Sequence, residues 1–207
     1  MRLSEKAYHL IKEKIITLEL EPLSVIDEQA LKEDLGLGRT PIREALHRLA
    51  AERLVIIAPR RGMFVADISI TDLAKIFEMR MVLEGFCARL AAERITPGQV
   101  AQMEATLAAL DEIPYGDADA LMEIDERFHK MLYQAADNAF LANTLNRLHA
   151  LSMRLWHLVL DRLADVQGAI EQHREITIAL KAGDGEKAQN LLHQHITEFQ
   201  RAIKAAL

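Results

Sequence analysis

Residues 35–65 read LGLGRTPIREALHRLAAERLVIIAPRRGMFV, and this stretch decides the fold. Gly36 suits the left-handed backbone that ends a helix, so the helix before it stops there. Thr40 followed by Pro41 reads as an N-cap with proline at the first helical position, opening a second helix that runs to about Glu52. Ile42, Leu46 and Leu49 share one face of that helix, while Arg39, Thr40 and Arg43 stand at its start on the opposite face. Two helices joined by the tight Gly36-Leu37-Gly38 turn make a helix-turn-helix. The apolar runs 54–58 and 63–66 then flank a basic Pro59-Arg60-Arg61-Gly62 turn, which predicts two short strands, a wing.

Upstream, Ala7, Leu10, Ile11, Ile15 and Leu18 recur at helical spacing and predict a helix over 5–18, closed off by Pro22. The helix before the turn covers 27–35. Downstream no β signal of comparable strength appears. Helical periods predict elements at 71–94, 97–113, 117–136, 138–163, 165–182 and 184–206, punctuated by Thr96-Pro97, Pro114-Tyr115-Gly116, Asp137-Asn138, a break near Asp165, and Gly183-Asp184-Gly185. The expected fold is therefore mainly α: a winged helix-turn-helix over 1–68 and an antiparallel all-α bundle over 69–207.

The chain has 207 residues, half of them hydrophobic, enough for two real cores. Its formal net charge is −6, which taken alone argues against a nucleic-acid partner. The distribution says otherwise. From Gly36 to Ala66 there are six basic residues (Arg39, Arg43, Arg48, Arg53, Arg60, Arg61) and two acidic ones, whereas residues 67–207 carry 14 basic and 21 acidic side chains. A locally basic head on an acidic body fits a protein of which one part meets DNA. A single cysteine, Cys87, excludes an internal disulfide framework, no apolar run reaches the roughly 18 residues of a membrane helix, and the N-terminal stretch lacks the pattern of a secretory leader. The expected setting is cytoplasmic, with no membrane partner.

The N-terminal residues of the second helix are those that reach base edges and phosphates in the major groove, and arginine can pair with guanine through two hydrogen bonds. Any one of these arginines could equally belong to a solvated face; six over turn, helix and wing shift the balance towards DNA. The run LGLGRTPIREALHRLAAERLV followed by PRRGMFV resembles the GntR family of bacterial transcription regulators. That resemblance implies DNA contacts from Arg39, Thr40 and Arg43 on the helix and from Arg61 and Gly62 on the wing, with Gly62 letting backbone approach the minor groove. Gly38, Leu23-Ser24 and Arg53 depart from the usual family pattern, the first removing a phosphate contact.

In the body, Asp125 and His129 lie four apart and so share a helix face. His173 stands ten residues before Gly183 and His195 eleven after Asp184, so antiparallel packing of the last two helices brings them level. One Asp and three His from three helices would form a nitrogen-rich set suited to Zn, Ni, Fe or Mn rather than Ca or Mg. Each His taken singly also fits an ordinary core or surface role, and His193 competes with His195. The segments IDERFHKML, EQHREITIALKAGDGEKA and LLHQHI resemble the FCD effector domain of FadR-like GntR regulators, and six helices resemble the shorter, VanR-like branch. The resemblance implies a divalent transition metal on Asp125, His129, His173 and His195.

Arg80 falls in the apolar stripe Leu73, Ile76, Leu83, Cys87, Leu90, and a buried arginine needs a partner. Glu84, Asp125 or an anionic ligand would serve; the resemblance implies the last, a small carboxylate metabolite. Arg154, Trp156 and His149 are further candidates for the same cavity. The expected function is a homodimeric transcriptional regulator, acting as a repressor on double-stranded operator DNA. A metal-dependent enzyme and a structural-metal protein are the rivals, but no HExxH or GxSxG motif appears and no catalytic residue is assigned.

Overall fold

The computed structural model describes residues 2–114, 117–163 and 166–207. By contact the chain divides into two compact units, residues 1–71 with 150–158, and residues 72–149 with 159–207. No described helix is long and apolar enough to cross a membrane.

The first unit holds α1 (Leu3–Ile16), α2 (Glu28–Leu35), α3 (Arg39–Ala51), β1 (Val55–Ala58) and β2 (Gly62–Val65). Its core is built from Ala7, Ile11 and Ile15 of α1 and Ile42, Leu46 and Leu49 of α3, all fully buried, with Leu54 just before β1 and Val65 at the end of β2. The helix α1 ends two residues before the expected Leu18, whose φ of 63° takes it out of helical geometry. Asp27 caps α2 by accepting from the Gln29 and Ala30 amides at 2.8 and 3.1 Å. Gly36 ends α2 at φ 62°, the left-handed conformation its position called for.

One expectation is corrected here. The N-cap of α3 is Gly38, not Thr40, and the helix begins at Arg39. Pro41 then sits third rather than first, at no cost in hydrogen bonds, because the amides of a helix's first turn have no intrahelical partner. The wing is antiparallel in the register Val55↔Val65 to Ala58↔Gly62, and Val25 adds a bridge to Phe64.

The second unit contains α4 (Ile70–Arg94) from Asp72 on, α5 (Pro97–Ala108), α6 (Ala118–Ala135), α7 (Ala139–Val159), α8 (Val166–Lys181) and α9 (Gly185–Ala206), with part of α7 counted in the first unit. The six expected helices are present. Residues 109–112 and 160–162 tighten into 3₁₀ turns where α5 and α7 were expected to continue. The expected breaks at Tyr115-Gly116 and Asp165 lie outside the described residues. Side-chain caps from Thr96, Asp117, Asn138 and Asp184 start α5, α6, α7 and α9. Gly183, at φ 70°, turns the chain from α8 into α9.

Candidate functional site

The face of α6 that carries Leu121, Ile124, Phe128 and Leu132 is buried, and Asp125 and His129 are buried with it. On α8 His173 follows the buried Ile170, and on α9 His195 lies between Leu192 and Phe199. Apolar neighbours at helical spacing thus carry four polar groups into one core. Asp125, His129, His173 and His195, each no more than 1% exposed, present ligand atoms that all lie within 4.8 Å of one another. Asp125 Oδ1 stands 3.7, 3.6 and 3.9 Å from the Nε2 atoms of His129, His173 and His195. The His173 ring stacks on Phe128 at 4.0 Å.

These atoms fit a transition metal. Asp125 Oδ1 and the Nε2 atoms of His129 and His173 have no hydrogen-bond partner among the described residues, an expense that buried polar atoms rarely carry without an ion or water to meet it. Metal–ligand bonds of about 2.1 Å bring neighbouring ligands to about 3.0–3.4 Å, so a small contraction closes the set. Burial holds the His173 imidazole well below its ordinary value and takes His195 down to about 3, which keeps both rings neutral and able to ligate. Burial also raises the Asp125 carboxyl, against the pull of His129 and Arg80.

Outer partners orient the rings. His129 Nδ1 lies 3.2 Å from Glu84 Oε2 and 3.3 Å from the Tyr133 hydroxyl, and His195 Nδ1 lies 3.2 Å from Gln172 Oε1. A proton held at Nδ1 leaves the Nε2 lone pair turned to Asp125. Glu84, fully buried on α4, accepts from Arg80 Nε. Burial alone would raise the Glu84 carboxyl; Arg80, then His129, outweigh it and hold it well below the carboxylate range. Arg80 lies 5.6 and 5.7 Å from the ring centres of Phe77 and Phe199. Glu84 is therefore the ion-pair partner of Arg80, which still has one nitrogen, Nη1, without a partner among the described residues.

His193 and His195 face different neighbours. His193 Nε2 donates to the Met81 carbonyl at 2.8 Å, over Gly85, where a Cβ would come within 2.2 Å of the ring. Two residues along α9, His195 turns into the cluster. Of the three further candidates, His149 lies beside the cluster, its Nε2 3.7 Å from Asp125 Oδ2. Arg154 instead donates to the Ala66 carbonyl at 2.7 Å, and Trp156 is buried.

In the first unit Arg39, Thr40 and Arg43 are exposed along the start of α3, and Arg61 and Gly62 are exposed at the wing turn, where Gly62 takes φ 108°. Glu28 holds the two helix arginines from α2: its Oε2 lies 3.3 Å from Arg39 Nε and 3.5 Å from Arg43 Nε. Arg48, counted with the basic head, faces the protein, 3.0 Å from Glu5 and with its guanidinium 3.6 Å from the Tyr8 ring centre. Glu28 escaped sequence reasoning, whereas Glu84, one helical turn from Arg80, was among the partners expected for that arginine, and the structure pairs the two.

Residues 3–65 match the model of the bacterial regulatory proteins of the gntR family, and residues 75–198 match the FCD domain. The chain is 28% identical over 202 residues to the HTH-type transcriptional repressor RspR of Escherichia coli K12, covering 97% of this chain and 89% of that one. Among solved structures it is similar to E. coli McbR/YncC, with a TM-score of 0.87 at 23% identity over 99% of this chain and 98% of that chain. It is also similar in fold to the metal-free FCD domain of the regulator TM0439, with a TM-score of 0.56 at 17% identity over 66% of this chain and 94% of that chain.

Proposed function

The chain belongs to the GntR family of bacterial transcriptional regulators and carries an FCD domain, and from that premise we propose that it is a cytoplasmic homodimeric repressor whose operator affinity is set by a small carboxylate held at a metal centre. The buried convergence of Asp125, His129, His173 and His195 is the observation that supports this reading. These four residues hold one divalent transition metal, Zn, Ni, Fe or Mn. A bound ion supplies Lewis acidity and, if octahedral, two positions beyond the four protein ligands. Arg80 Nη1 supplies a hydrogen bond and a positive charge to an anionic effector, while Glu84 fixes the rest of the guanidinium.

The DNA-binding domain is residues 1–68 and the effector domain residues 69–207. Arg39, Thr40 and Arg43 read the major groove and Arg61 and Gly62 reach backbone from the wing; a dimer on an imperfect palindrome doubles this small contact set. An effector that prefers one conformational state over another shifts DNA affinity by a typical ~1–3 kcal/mol, and operator DNA shifts effector affinity by the same factor. The test joins three measurements on the full chain. Elemental analysis should find close to one transition-metal equivalent per chain, lost in His195→Ala and kept in His193→Ala. Mobility shift on the chromosomal sequence flanking the gene should show a specific complex. Calorimetry should show a carboxylate that alters this complex binding less tightly to metal-stripped protein and to Arg80→Ala; equal binding to all three would refute the effector site.

A further inference from the structure

His149 lies on α7, outside the four-residue set, and is 4% exposed. Neither of its ring nitrogens has a hydrogen-bond partner among the described residues. A neutral imidazole always carries one N–H, and a buried N–H without an acceptor is rare in native structures, whereas an unpaired acceptor is less so. The ring therefore needs an acceptor more than it needs a donor.

One is within reach. The two oxygens of Asp125 face different ways: Oδ1 stands 3.6–3.9 Å from the Nε2 atoms of His129, His173 and His195. Oδ2 has no partner among the described residues and lies 3.7 Å from His149 Nε2. The His149 ring packs beside His129, with centres 4.6 Å apart at 36°, and edge-on to Tyr133 at 6.3 Å. An inward shift of less than an ångström brings Nε2 to ordinary hydrogen-bond distance from Oδ2. His149 is not one of the residues whose donor atoms all lie within 4.8 Å of one another, so its position is that of a neighbour of the carboxylate, not a fifth ligand.

We infer that His149 is a positioning residue of the metal centre: its Nε2–H hydrogen-bonds Asp125 Oδ2, so that the carboxylate ligates through Oδ1 alone. This rests on the metal reading above and extends it to the number of positions left for an effector. With Oδ2 held by His149, Asp125 occupies one coordination position. Without that bond Oδ2 is free to swing onto the ion and occupy a second, at the expense of an incoming carboxylate. Ligating carboxylates are themselves commonly hydrogen-bonded, and removing such a partner typically costs 10–100-fold in metal affinity.

The experiment uses metal-stripped full-length protein, with Co²⁺ as probe, read by chelator competition for affinity and by the visible absorption of the ion for its coordination. Two variants separate the N–H from the packing: His149→Phe fills the space without a donor, and His149→Gln restores one. Wild type should bind one Co²⁺ per chain; His149→Phe should bind 10–100-fold more weakly with an altered spectrum, and His149→Gln should recover most of the affinity and the wild-type bands. If wild type binds no Co²⁺, the metal reading fails and this inference with it. If wild type binds one Co²⁺ and His149→Phe matches it in affinity and spectrum, or the Phe and Gln variants are alike, the metal reading stands and the role of His149 is overturned.

Discussion

Replacing Glu84 with glutamine keeps the side chain's shape and removes its charge. Arg80 and Glu84 are 2% and 0% exposed, so water screens neither, and the guanidinium has no other carboxylate paired with it at salt-bridge distance among the described residues. Breaking a buried pair by neutralising one partner leaves the other charge uncompensated, at a cost of about 3–5 kcal/mol. That is a large share of the roughly 5–15 kcal/mol by which a domain is stable. At about 2–4 °C per kcal/mol for a chain of this size, the transition of the FCD domain should fall by about 6–20 °C. Arg80→Met with Glu84→Leu removes both charges together and should come back close to wild type, because an apolar pair of similar volume is often neutral or better. Scanning calorimetry on metal-stripped full-length protein measures all three. If Glu84→Gln costs less than about 1 kcal/mol, or the double variant is less stable than the single, the two groups are not held as a buried ion pair and the electrostatic account of Arg80 is wrong.

The head offers two tests. Arg39→Ala or Arg43→Ala should cost about 1–3 kcal/mol on the preferred operator and relax discrimination at one base position, whereas Arg61→Ala should weaken all sequences evenly and reduce the salt slope by about one; unchanged operator affinity in the helix variants would displace the reading face. Asp27→Ala removes an N-cap with two amide bonds and should lower the stability of the head by about 0.5–2 kcal/mol in urea unfolding. The third test concerns pH. Burial depresses the pKa of His149, His173 and His195, while their unfolded values stay near 6.5. Below pH 6.5 the unfolded chain therefore binds more protons than the fold does. Stability is intact above that pH and falls below it, by up to about 1.4 kcal/mol per pH unit for each ring, down to about 3 for His195. Asp125, with a raised pKa, opposes this by taking its proton early in the folded state. Metal-free protein should lose melting temperature steadily from pH 6.5 to 5; a flat profile would mean that the rings are not held neutral.

Much of the fold was legible because its signals are local. Glycine at 36, the Asp184 turn and the apolar spacing of α6 and α9 each act within a few residues, and they placed the wing and six body helices to within a few positions. Distances along α8 and α9 also brought His173 and His195 level, with ring centres 4.5 Å apart. What failed was finer or less local. A proline is accepted anywhere in a helix's first turn, so Thr40-Pro41 could not fix where α3 starts. The tightening at residues 109–112 and 160–162 has no clear compositional mark. His193 and His195 differ by their surroundings on α4 and α8, which sequence spacing does not contain. Glu28 is likewise tied to Arg39 across two helices, a contact invisible to any one helix's periodicity.

The alternation of His193 and His195 along α9 also bears on how the chain tolerates insertions. Each added residue advances an α-helix by about 100° and 1.5 Å. A single residue inserted between Asp184 and Leu191 would carry Gln194 into the place of His195 and Leu192 into the place of His193, losing an imidazole from the cluster and the bond to Met81 together. Two inserted residues would instead bring His193 to the place of His195, with Leu191 now facing Gly85. The ring count at the cluster would be restored while the bond to the α4 backbone would not. Among chains that share this segment, insertions of two residues in this part of α9 should thus be easier to survive than insertions of one, and their cost should fall on helix docking before it falls on the histidine cluster.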